Sequence, residues 1–248
     1  MIEVRNLTKR FGSTVAVDRV GFDVPAGTVF GLLGPNGAGK TTTLRILATL
    51  IAADEGEATV AGHDVVREAE AVRRTIGVVN GGMGLYDRLT GRETLRWFGE
   101  LYGMERAAID ARIDTLSSLL DLTETLDRRC GDFSTGMKQK IVIARAVIHD
   151  PPVLFFDEAS SGLDVLARRA LLDFARTYPT AQRSVIWSTH VMSEAEELCD
   201  RVGIVVGGRL IGEGTVTDLR ERADEARDLE EAFFRLVRKA GLAAEVAA

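Results

Sequence analysis

The sequence is poor in the features that mark several large protein classes. It has two cysteines, Cys130 and Cys199, and neither lies in a CxxC or Cys/His cluster, so neither a disulfide framework nor a zinc site organises the chain and reduced thiols are expected. No apolar run reaches the roughly 18 residues that a membrane-crossing helix needs. The greasiest stretch, Ile141 to Phe156, is broken by Arg145, His149, Asp150 and two prolines. Basic residues are not in excess: 31 Lys and Arg stand against 37 Asp and Glu, a net charge of −6, which gives no overall field to gather nucleic acid or anionic lipid. Internal repeats and low-complexity tracts are absent. The opening Met1-Ile2-Glu3-Val4 puts an acid where a secretory leader would be basic and then apolar, so a cytoplasmic chain is expected.

What is present is an alternation of strand-like and helix-like segments. With 248 residues and 46% hydrophobic content, the chain suffices for one large domain that carries a subdomain. Short apolar runs at Val29 to Leu33, Ile76 to Val79, Val153 to Phe156, Val185 to Trp187 and Val202 to Val206 read as buried strands. Helical periodicity separates them, at Thr41 to Leu50, Glu93 to Tyr102, Ala107 to Leu122, Gly136 to Ile148, Val165 to Thr177 and Ser193 to Leu198. The short segments Ile2 to Val4, Gly21 to Val24 and Ala58 to Val60 suggest an antiparallel edge layer, making the sheet mixed rather than purely parallel. The expected organisation is a nucleotide-binding core over 1–84 and 149–213, a helical subdomain over 85–148 hinged at the Gly-rich 80–84, and a helical tail over 214–248 that frays at its end.

The segment Gly34-Pro35-Asn36-Gly37-Ala38-Gly39-Lys40-Thr41, followed by Thr42, fits the phosphate-binding pattern G-x-x-x-x-G-K-[ST] between a strand and a helix. Its glycines let backbone N–H groups converge on phosphate, Lys40 can reach the β- and γ-phosphates, and the Thr41 hydroxyl can ligate Mg²⁺. A second apolar strand, Val153-Leu154-Phe155-Phe156, delivers Asp157 and Glu158 at its end. Asp157 is the candidate Mg²⁺ holder and Glu158 the candidate general base. His190, after the strand Val185 to Trp187, falls at the same sheet edge and can touch a γ-phosphate. His63 and His149 read as packing or capping residues.

A P-loop and an acidic strand suit a kinase or GTPase equally well, and the segment between them decides. Phe133-Ser134-Thr135-Gly136-Met137 resembles the ABC signature, usually Leu-Ser-Gly-Gly-Gln, and stands one strand before the acid pair. Ser161-Gly162-Leu163-Asp164 resembles the D-loop, His190 the switch histidine, and Phe11 the aromatic that stacks on adenine. The chain is thus similar, over nearly its whole length, to the ATP-binding subunits of ABC transporters. The run from Ser134 to Lys140 and the segment Gly84 to Thr90 are closest in kind to ABC-2 type exporters of the sodium-extruding, NatA-type branch.

The resemblance implies an α/β fold with a P-loop NTPase (RecA-like) core, a mixed sheet, an N-terminal antiparallel β layer and an inserted helical subdomain. It implies a head-to-tail dimer, of identical or different ATPase subunits, with two ATP molecules sandwiched between them. Ser134, Thr135, Gly136 and Met137 would then meet the partner's nucleotide, and a membrane permease would dock near Leu85, Tyr86 and Arg88. Such a subunit sits on the inner face of the cell membrane through that permease and has no nucleic-acid partner. Four positions depart from the pattern. Thr135 and Met137 replace a glycine and a glutamine of the signature, Ala159 replaces a proline, and Gly81 stands where a Mg²⁺- and water-sensing glutamine is usual. A DNA- or ribosome-directed ABC ATPase would need coiled coils, zinc modules or basic arms that this chain lacks. A nucleotide-sensing subunit with weak hydrolysis is suggested by Gly81 and opposed by Asp157, Glu158 and His190.

Overall fold

The computed structural model describes residues 1–245 of the chain. In chain order its strands are β1 (Ile2–Phe11), β2 (Thr14–Val24), β3 (Val29–Leu33), β4 (Glu55–Val60), β5 (His63–Asp64), β6 (Ile76–Asn80), β7 (Val153–Asp157), β8 (Ser184–Thr189), β9 (Arg201–Val206) and β10 (Arg209–Gly214). The helices are α1 (Lys40–Leu47), α2 (Ala69–Thr75), α3 (Gly91–Leu101), α4 (Arg106–Leu120), α5 (Thr135–Ala146), α6 (Val165–Thr177), α7 (Met192–Leu198), α8 (Val216–Arg222) and α9 (Leu229–Lys239). A six-stranded sheet runs in the order β10-β9-β3-β8-β7-β6 beside a four-stranded sheet ordered β2-β1-β4-β5. The small sheet is antiparallel throughout, whereas the large one is parallel except for the β9-β10 hairpin. The mixed sheet and antiparallel layer expected from the sequence are therefore both present.

The central strands read as continuous apolar runs because both of their faces are covered. Side chains alternate across a strand, so each run feeds two cores. Phe30, Leu32, Phe155 and Ile186 face α1 and the small sheet, while Leu33, Leu154, Phe156, Val185 and Trp187 face α5, α6, α7 and α9. Phe156 and Trp187 pack with ring centroids 5.0 Å apart and neither is accessible to solvent. Truncating such a ring to alanine costs about 3–5 kcal/mol.

The small sheet is longer than its apolar segments suggested. Glu3, Arg5 and Arg10 point outward along β1, so apolar character marks only part of a strand whose backbone pairing continues to Phe11. The helix α2 buries only Val72, and the edge strand β10 carries Gly212 and Gly214; neither has the period that would reveal it. Helix α1 stops at Leu47 rather than Leu50, because Thr49 turns left-handed at φ 61°.

In the segment from Leu85 to Ile148, α3 opens with a capping box between Thr90 and Glu93. Helix α5 packs against α3 and α4 on one side and against β6 and α6 on the other. Through it Leu95, Ile109 and Ile113 join the apolar core that holds Leu154 and Phe156. The tail contributes too, since α9 buries Leu229, Phe233, Leu236 and Val237 in the same core. Residues 246–248, where fraying was expected, lie outside the described residues. Both cysteines are free and buried, and burial raises each thiol above its usual range, so they are inert side chains of the core.

Candidate nucleotide site

Parallel register lines up the ends of three strands. Asp157 of β7 pairs with Ser188 of β8, and Thr189 pairs with Leu33 of β3, so the P-loop, the acid pair and the Ser188-Thr189-His190 run emerge at one edge of the sheet. This is where ligands bind in open α/β sheets.

Residues 34–39 join β3 to α1. Gly39 N-caps the helix at φ 103°, and a side chain there would run into the Ala16 carbonyl oxygen, so both backbone and space demand glycine. Gly34, Ala38 and Gly39 are buried, Pro35, Thr41 and Thr42 half-buried, and Asn36 and Gly37 exposed at the tip. Lys40 is only 4% accessible, and its Nζ donates to the carbonyls of Gly34 (2.8 Å) and Pro35 (3.0 Å). The ammonium is thus held by carbonyl oxygens of the loop itself.

Two carboxylates face this loop. Asp157 Oδ1 accepts hydrogen bonds from the Thr41 hydroxyl and from the Ser188 hydroxyl, each at 3.0 Å. Glu158 adopts a left-handed backbone, φ 50°, unusual for a residue with a side chain. The turn is held by its N–H, which donates to the Ser188 carbonyl at 3.0 Å, and by its carbonyl, which accepts from the Ser161 N–H at 3.1 Å. Glu158 Oε2 lies 2.7 Å from His190 Nδ1 and Oε1 lies 3.2 Å from Lys40 Nζ. Oε1 is buried, with the Lys40 ammonium as its charged neighbour. Ala159, where a proline is usual, is buried at 2% accessibility in this turn.

Magnesium prefers hard oxygen ligands and leaves most of its shell to water and phosphate. Thr41 Oγ1 and Asp157 supply such oxygens at the loop, and the described residues contain no group of three or more His, Cys, Asp or Glu that would form an all-protein cage. The donor set fits a magnesium ion shared with phosphate.

Gly81 follows β6 and its N–H donates to the Asp157 carbonyl at 2.9 Å. A Cβ here would stand 2.6 Å from the Glu158 carbonyl oxygen, so the backbone path itself excludes the usual glutamine. Asn80 is exposed and pairs in register with Asp157.

Ser134 N-caps α5, its hydroxyl accepting the Met137 N–H at 3.3 Å, and Thr135 is the first helical residue. Gly136 is in ordinary helical conformation, and a side chain there would meet only the Ala167 Cβ at 3.8 Å; nothing in the chain itself requires a glycine. Beside it, Ser161, Gly162 and Leu163 lead to Asp164, which caps α6 through the Ala167 N–H at 2.9 Å. A cleft of about 320 Å³ is lined by Ser134, Gly136, Met137, Asp164 and Leu166. The structure thus joins the signature-like and D-loop-like residues to each other, while the hydrogen bonds of Ser134 and Met137 stay within α5 and with Arg128. Val165 and Leu166 next to the cleft are 83% and 82% exposed.

Phe11 ends β1, is half exposed, and has Lys9 Nζ 5.5 Å from its ring centroid, so it is not a core residue. His63 pairs with Glu68 at 3.1 Å, and His149 packs face to face on Tyr102 with Nε2 3.0 Å from the Ile76 carbonyl. Tyr86 and Arg88 line an open cleft of about 550 Å³ with Leu89, Glu93 and Trp97, whereas Leu85 turns partly into the core. The sequence reading did not single out Ser188, which shares Asp157 with Thr41, or the buried Glu194. Ser188 is signalled only by its position in the parallel register, and Glu194 is indistinguishable in the sequence from Glu196 and Glu197 beside it.

Comparison with known proteins agrees with this geometry. A family described as ABC transporter matches residues 17–161. The chain is 41% identical over 244 residues to the ABC transporter ATP-binding protein NatA of Bacillus subtilis (strain 168), which covers 96% of this chain and 99% of that protein. It is 41% identical over 219 residues to the daunorubicin resistance ATP-binding protein DrrA3 of Streptomyces coeruleorubidus, covering 88% of this chain and 69% of that one. A solved structure of an ATP binding subunit of an ABC transporter superposes with a TM-score of 0.87 at 31% identity, over 96% of this chain and 99% of the other.

Proposed function

The chain belongs to the ABC transporter family as an ATP-binding subunit and ATPase, and from that premise we propose that it powers export through a separate membrane permease, two ATPase subunits closing on ATP. Lys40 is assigned the β- and γ-phosphates of ATP, with the backbone N–H groups of residues 36–42, at the loop and the start of α1, cradling the rest of their charge. Thr41 and Asp157 would hold Mg²⁺, which when bound neutralises phosphate charge. Glu158 takes the proton of the attacking water as general base, with Oε2 engaged by His190 and Oε1 beside Lys40. With Nδ1 at Glu158, His190 Nε2 is left for the γ-phosphate. Phe11, half exposed, offers its ring to adenine.

In this reading Ser134, Thr135, Gly136 and Met137 contact the ATP of a second ATPase subunit, identical or different, with Ser161, Gly162, Leu163 and Asp164 alongside. The support is Gly136, whose lack of a side chain serves nothing within its own chain but lets an outside group approach the start of α5. ATP touching both subunits binds the closed state better than the open one, which is the differential affinity that drives closure. Residues 1–84 and 149–213 form the nucleotide-binding core, 85–148 the helical subdomain and 214–248 the tail. The permease docks at the cleft by Tyr86 and Arg88 and holds the subunit at the inner face of the membrane. Among the described residues no helix is long and apolar enough to cross a membrane, so the cargo path belongs to the permease. Sodium is the cargo proposed from the likeness to NatA-type exporters.

The observation that carries this reading is the meeting of Lys40, Glu158 and His190 beside the Thr41–Asp157 pair. The test is Mg²⁺-dependent ATP hydrolysis by the purified chain beside Glu158→Gln. Loss of turnover in the variant supports the assignment, and equal turnover contradicts it.

A further inference from the structure

Glu194, in the first turn of α7, is a carboxylate taken almost wholly out of water, 2% accessible. A buried charge persists only where it is paired and hydrogen-bonded on every side. Its Oε2 accepts from the Ser160 hydroxyl (3.0 Å), the Thr189 hydroxyl (3.0 Å) and the Trp187 indole N–H (3.3 Å), and its Oε1 pairs with Arg168 Nε at 2.8 Å.

These partners are not scattered. Ser160 follows Glu158 by two residues and Thr189 directly precedes His190. The Thr189 hydroxyl also accepts the Val191 N–H at 3.0 Å, so the chain is pinned on both sides of His190. Arg168 lies in the first turns of α6, its N–H bonded to the carbonyl of the Asp164 cap at 2.9 Å. One carboxylate therefore grips the turn of Glu158, the turn of His190, and both ends of the loop from Ser160 to Arg168. A bridge made only to fill the core would need no charge at this point, and Trp187 already packs against Phe156 there.

We propose that Glu194 is a positioning residue for hydrolysis: it locks the Glu158 turn, the His190 turn and the start of α6 into one unit, and so sets the Glu158–His190 geometry. The proposal rests on the reading of those two residues as catalytic. It predicts a defect in turnover without a defect in ATP binding, because Lys40 and the P-loop are not among its partners.

The test compares wild type, Glu194→Gln and Glu158→Gln as full chains in turnover, ATP affinity and melting temperature. An amide cannot accept from the hydroxyls and the indole and also pair with Arg168, so Glu194→Gln is expected to lose about 10- to 100-fold in kcat while its ATP Kd stays within about threefold. Turnover within about twofold of wild type in folded Glu194→Gln overturns the proposal, as does a parallel loss of ATP affinity and melting temperature, which marks a purely structural residue. Should Glu194→Gln fail to fold, Ser160→Ala decides, since it removes one donor and leaves the carboxylate: a fall in kcat at unchanged Kd supports the proposal and unchanged kcat overturns it. If Glu158→Gln hydrolyses ATP like wild type, it is the catalytic reading that fails, whatever Glu194→Gln does.

Discussion

His190 Nδ1 lies 2.7 Å from Glu158 Oε2, joining the end of β8 to the left-handed turn that follows β7. The two carboxylate oxygens are thus divided between partners, Oε2 at His190 and Oε1 at Lys40 Nζ, 3.2 Å away. If His190 serves the chemical step rather than nucleotide capture, His190→Ala should lower kcat by about 10²-fold or more and change ATP affinity by less than about threefold. Turnover and equilibrium ATP binding on the same preparation check this, and a variant that fails to bind ATP would place the histidine in binding instead.

Gly81 makes the opposite kind of prediction. Its missing side chain leaves room for the Glu158 carbonyl, 2.6 Å from where a Cβ would stand, so restoring the family's glutamine should not restore a function. Gly81→Gln and Gly81→Ala are both expected to destabilise the chain by about 1–3 kcal/mol and to slow hydrolysis by displacing the Glu158 turn. Thermal melts and turnover measure both effects. Faster hydrolysis at unchanged stability in Gly81→Gln would show that the absent amide limits the wild type.

Gly136 separates the fold from the assembly. A side chain there meets only Ala167, so Gly136→Asp should melt within about 1 kcal/mol of wild type, as ordinary surface changes do. On the proposed two-subunit arrangement it should nevertheless abolish ATP hydrolysis, by placing a negative group where the second subunit's phosphate would approach. Wild-type turnover in this variant would remove α5 from the site.

His149 predicts a pH dependence of stability unrelated to catalysis. Burial pushes its imidazole down to about 4, with Nε2 at the Ile76 carbonyl and Nδ1 buried without a partner. The unfolded chain takes up this proton below about pH 6.5 while the folded chain holds it off until near 4, so stability present at neutral pH is lost through that window. The loss from this one residue is about 2 kcal/mol between pH 7 and pH 5. Denaturant titrations at both pH values on wild type and His149→Gln measure it; an equal loss in the variant would acquit the histidine.

These residues also show what the sequence could reveal. The P-loop was legible because its chemistry lies in consecutive residues between a strand and a helix, and the central strands because both of their faces are buried. The small sheet was legible only where its inner face is apolar; its full length depends on backbone pairing that side-chain patterns do not report. Helix α2 buries a single residue and left no period to find. Ser188 and Glu194 act through register and long-range contact, so their roles needed the strands placed side by side. The exclusion of glutamine at position 81 likewise depends on a carbonyl 77 positions away in the chain, that of Glu158.

The central claim is that ATP is held between two such subunits and hydrolysed by Glu158. It is tested most directly by the mass of Glu158→Gln in solution, by sedimentation or light scattering, in Mg²⁺-ATP and in Mg²⁺-ADP. The account predicts a mass twice that of the chain in ATP, the single-chain mass in ADP, and no hydrolysis in either. A Glu158→Gln chain that binds ATP and remains a monomer at every concentration, or that hydrolyses it at the wild-type rate, would contradict it.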